Sequence, residues 1–290
     1  MIDINVKRNT DDADLREKME RVKDFRPIDD VFFEVFINDI PCCQEILRTI
    51  LEDDDLIVTD IMVQHSAQNI YGRAVRLDAL CILGNGKKCN IEVQRADNDD
   101  HLRRVRFNAA SIAVIDSKKG MRFEDVEDVI VVFISQFDIF KSGRTIYHVD
   151  NIVRETGEYV DDGLERVFVN TEIKDNSSIS ELMTCFMLKE FNNSKFPAVS
   201  NRMRYIKTQK GGLNAMCDVM EKYTKEAVER GREEGREEGR KEGRKEGRKE
   251  ERLKNIKFMI ECGVDPAIIA TKFDMSLDEI LQLAPNESSK

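Results

Sequence analysis

The sequence predicts a mixed α/β fold, with a central sheet packed by helices. Three observations carry that expectation. The run from Val126 to Gln136 is rich in Val and Ile and reads as a buried strand. The stretch RLDALCILGNGKKCNIEVQ places two apolar runs around a Gly84-Asn85-Gly86 turn, as a β-hairpin does. Segments with apolar residues at helical spacing stand before and after these strands.

In chain order, residues 1 to 25 form a polar arm with a short helix near Leu15 to Val22. Pro27 and Asp29 open a helix in which Val31, Phe32, Val35 and Phe36 share a face. Pro41 starts a second helix reaching Leu51, with Ile46, Leu47 and Ile50 inside. Leu56 to His65 alternates as a strand. Arg73 to Leu83 and Lys87 to Arg95 follow as the hairpin. Asp99 or Asp100 caps a helix to about Ser117. Ile146 to Val153 and Leu164 to Glu172 read as later strands. A helix from Ser178 or Ser180 to about Asn192 and another from Leu213 to Arg230 complete the expected elements.

Residues 231 to 250 are five tandem quartets of Gly-Arg-Glu/Lys-Glu. Five glycines cost a helix about 5 kcal/mol relative to alanine. Like charges meet at i,i+4 (Arg236 and Arg240, Glu238 and Glu242), and relief comes at i,i+3, in pairs such as Glu233–Arg236. The segment is either a marginal solvated helix or a flexible spacer. Residues 253 to 284 then form a compact unit. Ile256, Met259 and Ile260 mark a helix ended by Gly263. Asp265-Pro266 opens a second helix. Ser276 and Glu279 make a capping box for a third. The order resembles a helix-turn-helix, but the third helix begins Leu277-Asp278-Glu279, and acids there repel phosphate. A protein-docking or homo-oligomerising tail is the expectation. The domain boundaries expected are therefore an arm (1–25), a main domain (26–212), a helix and charged spacer (213–252) and a helical tail (253–290).

Composition narrows the function classes. The formal net charge is −10, which argues against coating nucleic acid by bulk charge yet permits a local basic groove. No run reaches transmembrane length, and the start lacks a signal-peptide pattern, so a cytoplasmic protein without membrane contact is expected. The seven cysteines show no metal-type pairs and read as reduced, small apolar residues. The Gly-rich repeat lacks the Lys-Ser/Thr ending of a phosphate-binding loop.

The hairpin carries the chemistry. A two-residue Asn85-Gly86 loop would pair Asp78 with Val93 and Ala79 with Glu92, mixing polar and apolar residues on both faces. A three-residue loop pairs Leu77 with Val93, Ala79 with Ile91 and Cys81 with Cys89, a coherent apolar face. That register sets Asp78 beside Glu92, with Gln94 two residues further on. Adjacent carboxylates repel unless a cation lies between them, and carboxylate oxygens with water suit Mg²⁺ or Mn²⁺. Such a metal can act on a phosphodiester. Gln94 can orient water by hydrogen bonding. Arg95 and His101 lie nearby in sequence, and Arg103, Arg104 and Arg106 on the next helix can clamp phosphate. The bland alternatives are solvent-facing strand carboxylates, a surface glutamine, a solvated arginine face and a surface histidine.

Asp, then Glu-x-Gln on the next strand, then an Arg-bearing helix resembles the PD-(D/E)XK nuclease superfamily. Within it, the chain is most similar to Rpn-type recombination-promoting nucleases, a group often labelled as transposases. The resemblance covers about residues 26 to 200. "RPIDDVFFEVF" resembles that family's Asp-x-x-Phe-Lys-x-x-Phe helix through Asp30, Phe33 and Phe36, with Glu34 where the family usually has a basic residue. As a helix N-terminal residue, Asp30 can equally serve the helix dipole alone. The charged repeat and the helical tail resemble the family's usual C-terminus. The resemblance implies a restriction-endonuclease-like fold over residues 26–212 and a metal-dependent DNA endonuclease of recombination, mobile elements or defence. Asp78 and Glu92 would be its metal ligands, with Gln94 in the place of the superfamily lysine. The competing expectation is an inactive nuclease-fold adaptor acting through its C-terminal tail.

Overall fold

The computed structural model describes residues 13–68, 74–117 and 119–283. Residues 1–12 of the expected arm, Arg73 at the expected strand start and the end of the tail from 284 lie outside the described residues. The chain falls into two compact units that divide between Tyr223 and Thr224.

The first unit opens with helix α1 (residues 13–22). α2 (Asp30–Ile37) and α3 (Ile40–Leu51) follow, the second started by Pro41 and by the Asp39 carboxylate, which accepts the Cys42 N–H at 3.0 Å. Next come β1 (Val58–Gln68), β2 (Ala74–Leu83), β3 (Lys88–Gln94), α4 (His101–Asp116) and β4 (Val129–Ser135). β5 (Ile146–His148), the short β6 (Asn151–Ile152) and β7 (Tyr159–Val160), and β8 (Leu164–Asn170) precede α5 (Ser178–Met187), α6 (Pro197–Thr208) and α7 (Lys210–Glu261).

Six strands make one sheet in the order β1-β2-β3-β4-β8-β5. β3, β4 and β8 run parallel, and the outer pairings are antiparallel. This is the mixed, helix-packed sheet that the sequence predicts. One face is covered by α2, α3, α5, α6 and the start of α7, around Phe32, Phe36, Leu47, Ile91, Val132, Phe186 and Leu213. The other face packs Val131, Phe133 and Phe168 against Val105, Ala109 and Ile112 of α4. β4 is buried along its whole length, which explains its unbroken Val/Ile/Phe composition.

The hairpin adopts the three-residue register: Ala79 pairs with Ile91 and Cys81 with Cys89. Gly86 takes φ +90°, as the turn requires, and its N–H closes on Leu83 O at 2.9 Å. One expectation fails. Leu77 does not join Ala79 and Ile91 on the same face; it packs with Val75 and Leu80 in the opposite core. Two residues, Asp78 and Ala79, separate Leu77 from Leu80, so the alternation breaks there. Opposite the break, Gln64 of β1 sits at φ +50°, and neither Gln64 nor Asp78 joins the ladder, which pairs Val63 with Ala79 and His65 with Leu77 on either side. The register is the same on both sides of this pair, so the break is a local distortion of both strands that re-aims Asp78 without inserting a residue.

Other expectations are corrected in detail. The strand expected over 146–153 is split: β5 pairs with β8, and β6 leaves to form a ribbon with β7 around Gly157 at φ +76°. The helix expected to reach Asn192 stops at Met187. Helix α6 has no counterpart among the elements expected from the sequence; Pro197 occupies its first turn, where proline is tolerated.

In the second unit, the repeat is helical. α7 runs without interruption through all five repeat glycines, joining what reads in sequence as two helices and a spacer. Glu237 and Lys241 pair at 2.9 Å in the i,i+4 relation, at the point where the third position of the quartet changes from Glu to Lys. The end of α7 packs with α8 (Pro266–Phe273) and α9 (Leu277–Leu283) around Ile256, Ile269 and Ile280. Gly263 is left-handed at φ +74°, and Ser276 and Glu279 make the reciprocal bonds of a capping box.

Candidate metal centre

The β2–β3 ladder ends at Ala79–Ile91, and beyond it the two acids take over the pairing. The Val93 N–H donates to Asp78 Oδ2 at 3.1 Å, and the Asp78 N–H donates to Glu92 Oε1 at 3.4 Å. Each carboxylate therefore bonds to the backbone of the strand that carries the other. Asn90, fully buried two residues before Glu92, donates its Nδ2 to Glu92 Oε1 at 2.9 Å. Asn90 and Glu92 alternate with Cys89, Ile91 and Val93, so they lie on the α4 side of the sheet.

Burial raises both carboxyls above their ordinary values. For Glu92 the neighbouring Asp78 charge adds to the rise, and the Asn90 amide and Arg104 oppose it. For Asp78 the Val93 N–H opposes burial, Asp30 adds to the rise, and Arg104 and Arg76 counter it. Asp30, the first residue of α2, is itself raised by burial and by Asp29, against the pull of Arg95 and Arg104. Arg104 thus acts on all three acids, Asp30 on Asp78, and Asp78 on Glu92, which links them in one electrostatic cluster.

Gln94 is fixed at both ends of its amide. Its Nε2 donates to Ala96 O at 2.8 Å, and its Oε1 accepts from Arg104 Nη1. The arginine that the sequence places one turn into α4 is thus held next to the acids by the glutamine that follows them. Arg95 is turned to Asp29, at 2.9 Å. Arg103 and Arg106 are exposed on α4, and the structure does not bring them to the carboxylates. His101 is buried; its Nε2 lies 2.9 Å from Asp97 Oδ1, and its ring packs on Phe133 and Phe137 at centroid distances of 5.6 and 5.0 Å. It is an aromatic-core residue and not a member of the acid cluster.

The donor chemistry fits a hard divalent cation. Two repelling carboxylates converge, and Asp78 Oδ1 and Glu92 Oε2 accept no hydrogen bond among the described residues. Among the described residues no group of three or more His, Cys, Asp or Glu side chains could hold an ion, so further ligands would be water and substrate oxygens.

Four participants were not legible in sequence. Asn90 is a polar residue at an inward position of an apolar strand, a signal that could have marked it. Glu34, buried on α2, pairs with Lys222 of α7 at 2.9 Å, so a cation from far along the chain stands against this carboxylate. Arg76 lies over the ring of Tyr223, with its Cζ 5.3 Å from the ring centroid. Nothing in the spacing of residues 76 and 223 announces that contact.

No curated protein and no solved structure matches the chain. A family model described as PD-(D/E)XK nuclease family transposase matches residues 38–240, a span that contains Asp78, Glu92, Gln94 and α4 but begins after Asp30. With more than half of its length matched, and with a mixed sheet of the restriction-endonuclease-like type, the chain belongs to the PD-(D/E)XK nuclease family transposases.

Proposed function

We propose that the protein is a divalent-metal-dependent DNA endonuclease that hydrolyses phosphodiester bonds in recombination, transposition or defence against mobile elements. The observation that carries this reading is the meeting of Asp78 and Glu92 where the β2–β3 ladder ends, each held by the other strand's backbone. Asp78 and Glu92 would hold Mg²⁺ or Mn²⁺. When bound, that ion would supply Lewis acidity toward a phosphodiester oxygen and lower the pKa of water. Gln94 positions Arg104, whose guanidinium offers a planar pair of donors to phosphate. Asp30 adds negative charge to the cation side of the cluster. Arg95, Arg103 and Arg106 provide further positive charge for the strand beyond the cleaved bond.

The tail supports a second, compatible role. Phe258, Ile268 and Leu281 are 65%, 59% and 51% exposed in the second unit. An apolar surface of this kind suits self-association, giving a homo-oligomer. The alternative in which the nuclease fold serves only as a scaffold for that tail makes the opposite prediction for the acids.

The direct test is plasmid cleavage with Mg²⁺ by wild type, Asp78→Asn and Asp78→Ala. Asparagine keeps an acceptor for the Val93 N–H while removing the charge, so a loss in Asp78→Asn is not a folding effect. Both variants are expected to lose more than about 100-fold in rate. Nicking by Asp78→Asn at the wild-type rate would sink the reading and favour the scaffold.

A further inference from the structure

Arg76 is an exposed side chain of β2, two residues before Asp78. Its guanidinium is held from two directions. On one side it bonds to Oε1 of Gln64, the left-handed residue of β1 that lies opposite Asp78. On the other it stands over the ring of Tyr223, 5.3 Å from the centroid. Tyr223 is held in turn: Lys222 lies 6.0 Å from the same ring and is anchored to the buried Glu34 at 2.9 Å.

We propose that Arg76 is a phosphate-contacting residue of the Asp78–Glu92 site, held in place by Gln64 and Tyr223. The inference rests on the nuclease reading and extends it. Four observations support it. Arg76 stands two residues before Asp78 on β2 and bonds to Gln64, the β1 residue opposite Asp78, so its charge lies beside the acid. Tyr223 belongs to the same cluster: burial, and then the Glu34 charge, raise its hydroxyl, and Asp30 and Asp78 add to the rise. A non-glycine residue held at positive φ is uncommon, and such positions concentrate where a side chain must be aimed. A guanidinium already fixed on a ring and an amide loses little freedom when a phosphate oxygen arrives. The ligand chemistry is the phosphodiester of a nucleic acid strand. Tyr223 is a positioning residue that acts through Arg76, and α7 thereby contributes to a site otherwise built from β2, β3, α2 and α4.

The test measures binding of a short DNA duplex to the full chain across a salt series without divalent metal, and plasmid cleavage with Mg²⁺. Arg76→Ala is expected to reduce the slope of log affinity against log salt by about one, the loss of one phosphate contact. Arg76→Lys should keep the slope and bind more weakly, which separates lost charge from lost geometry. Tyr223→Leu should weaken binding by about 2- to 5-fold, and Tyr223→Phe, which keeps the ring, should bind more tightly than Tyr223→Leu. Thermal unfolding of each variant accompanies the binding data. A folded Arg76→Ala with the wild-type salt slope, in a wild type that cuts DNA, overturns this inference alone. Equal binding by Tyr223→Phe and Tyr223→Leu overturns the role of Tyr223. A wild-type chain that neither binds nor cuts DNA overturns the nuclease reading and this inference together.

Discussion

The acid pair of β2–β3 and the glycine repeat of α7 both break ordinary sequence rules, and they answer the cost differently. Asp78 and Glu92 are placed where desolvation penalises charge, and the compensating groups converge from three elements: the Val93 N–H and Asn90 on β3, Arg76 on β2 and Arg104 on α4. The repeat is exposed along its length, and a Cβ at any of Gly231, Gly235, Gly239, Gly243 or Gly247 would meet nothing within 4 Å. Its compensation is local, as in the Glu237–Lys241 pair four residues apart. A buried violation is specific to one arrangement of the whole fold. An exposed one is a matter of helix propensity and is tolerant of change.

That contrast is sharpest for the five glycines. Replacing all five by alanine should stabilise the helix by about 5 kcal/mol in sum. Hydrogen exchange over residues 224–252 would show it as slower exchange, with plasmid cleavage unchanged. A loss of solubility or a change in oligomeric state would show instead that the bare backbone of the glycine face is used.

The acid pair gives the next effect. A folded-state carboxyl raised above its unfolded value means that the folded chain holds the extra proton, so stability is fully present at low pH and is lost as pH rises. For Glu92 the window runs from its ordinary 4.5 to about 8. The metal-free protein should therefore melt at progressively lower temperature across that range. Glu92→Gln should flatten the dependence and abolish stabilisation by Mg²⁺. A wild-type profile that stays flat, or a variant still stabilised by Mg²⁺, would separate the acids from metal binding.

The smallest effect belongs to the tail. Ser276→Ala removes the capping box and should cost α9 about 1 kcal/mol, seen as faster exchange in residues 277–283. Cleavage should not change, because the substitution lies in the second unit.

Much of the fold was legible because burial leaves a periodic trace. β4 announced itself by its apolar run, α3 by its proline and its spacing, and the hairpin register by the coherence of Ala79, Cys81, Cys89 and Ile91. The approach of Asp78 to Glu92 followed from that register. What stayed hidden was non-local. The break in alternation at Asp78 depends on Gln64 in another strand, and an alternating pattern read from β2 alone assigns Leu77 to the wrong core. His101 read as a site residue by proximity in sequence, whereas Phe133 and Phe137 enclose it. The contact of Tyr223 with Arg76 requires the chain to close over 146 positions, which no spacing rule reaches.

The break in alternation at Asp78 also sets two phases along a single strand. Up to Leu77, odd-numbered side chains of β2 belong to the α4 core; from Ala79 onward, odd-numbered side chains belong to the core under α2 and α3. A hydrophobic-to-polar scan of β2 would thus show its sensitivity jump by one position at the acid. The acid stands at the change of phase itself, between the two cores, which leaves its charge available to something that is not part of the fold.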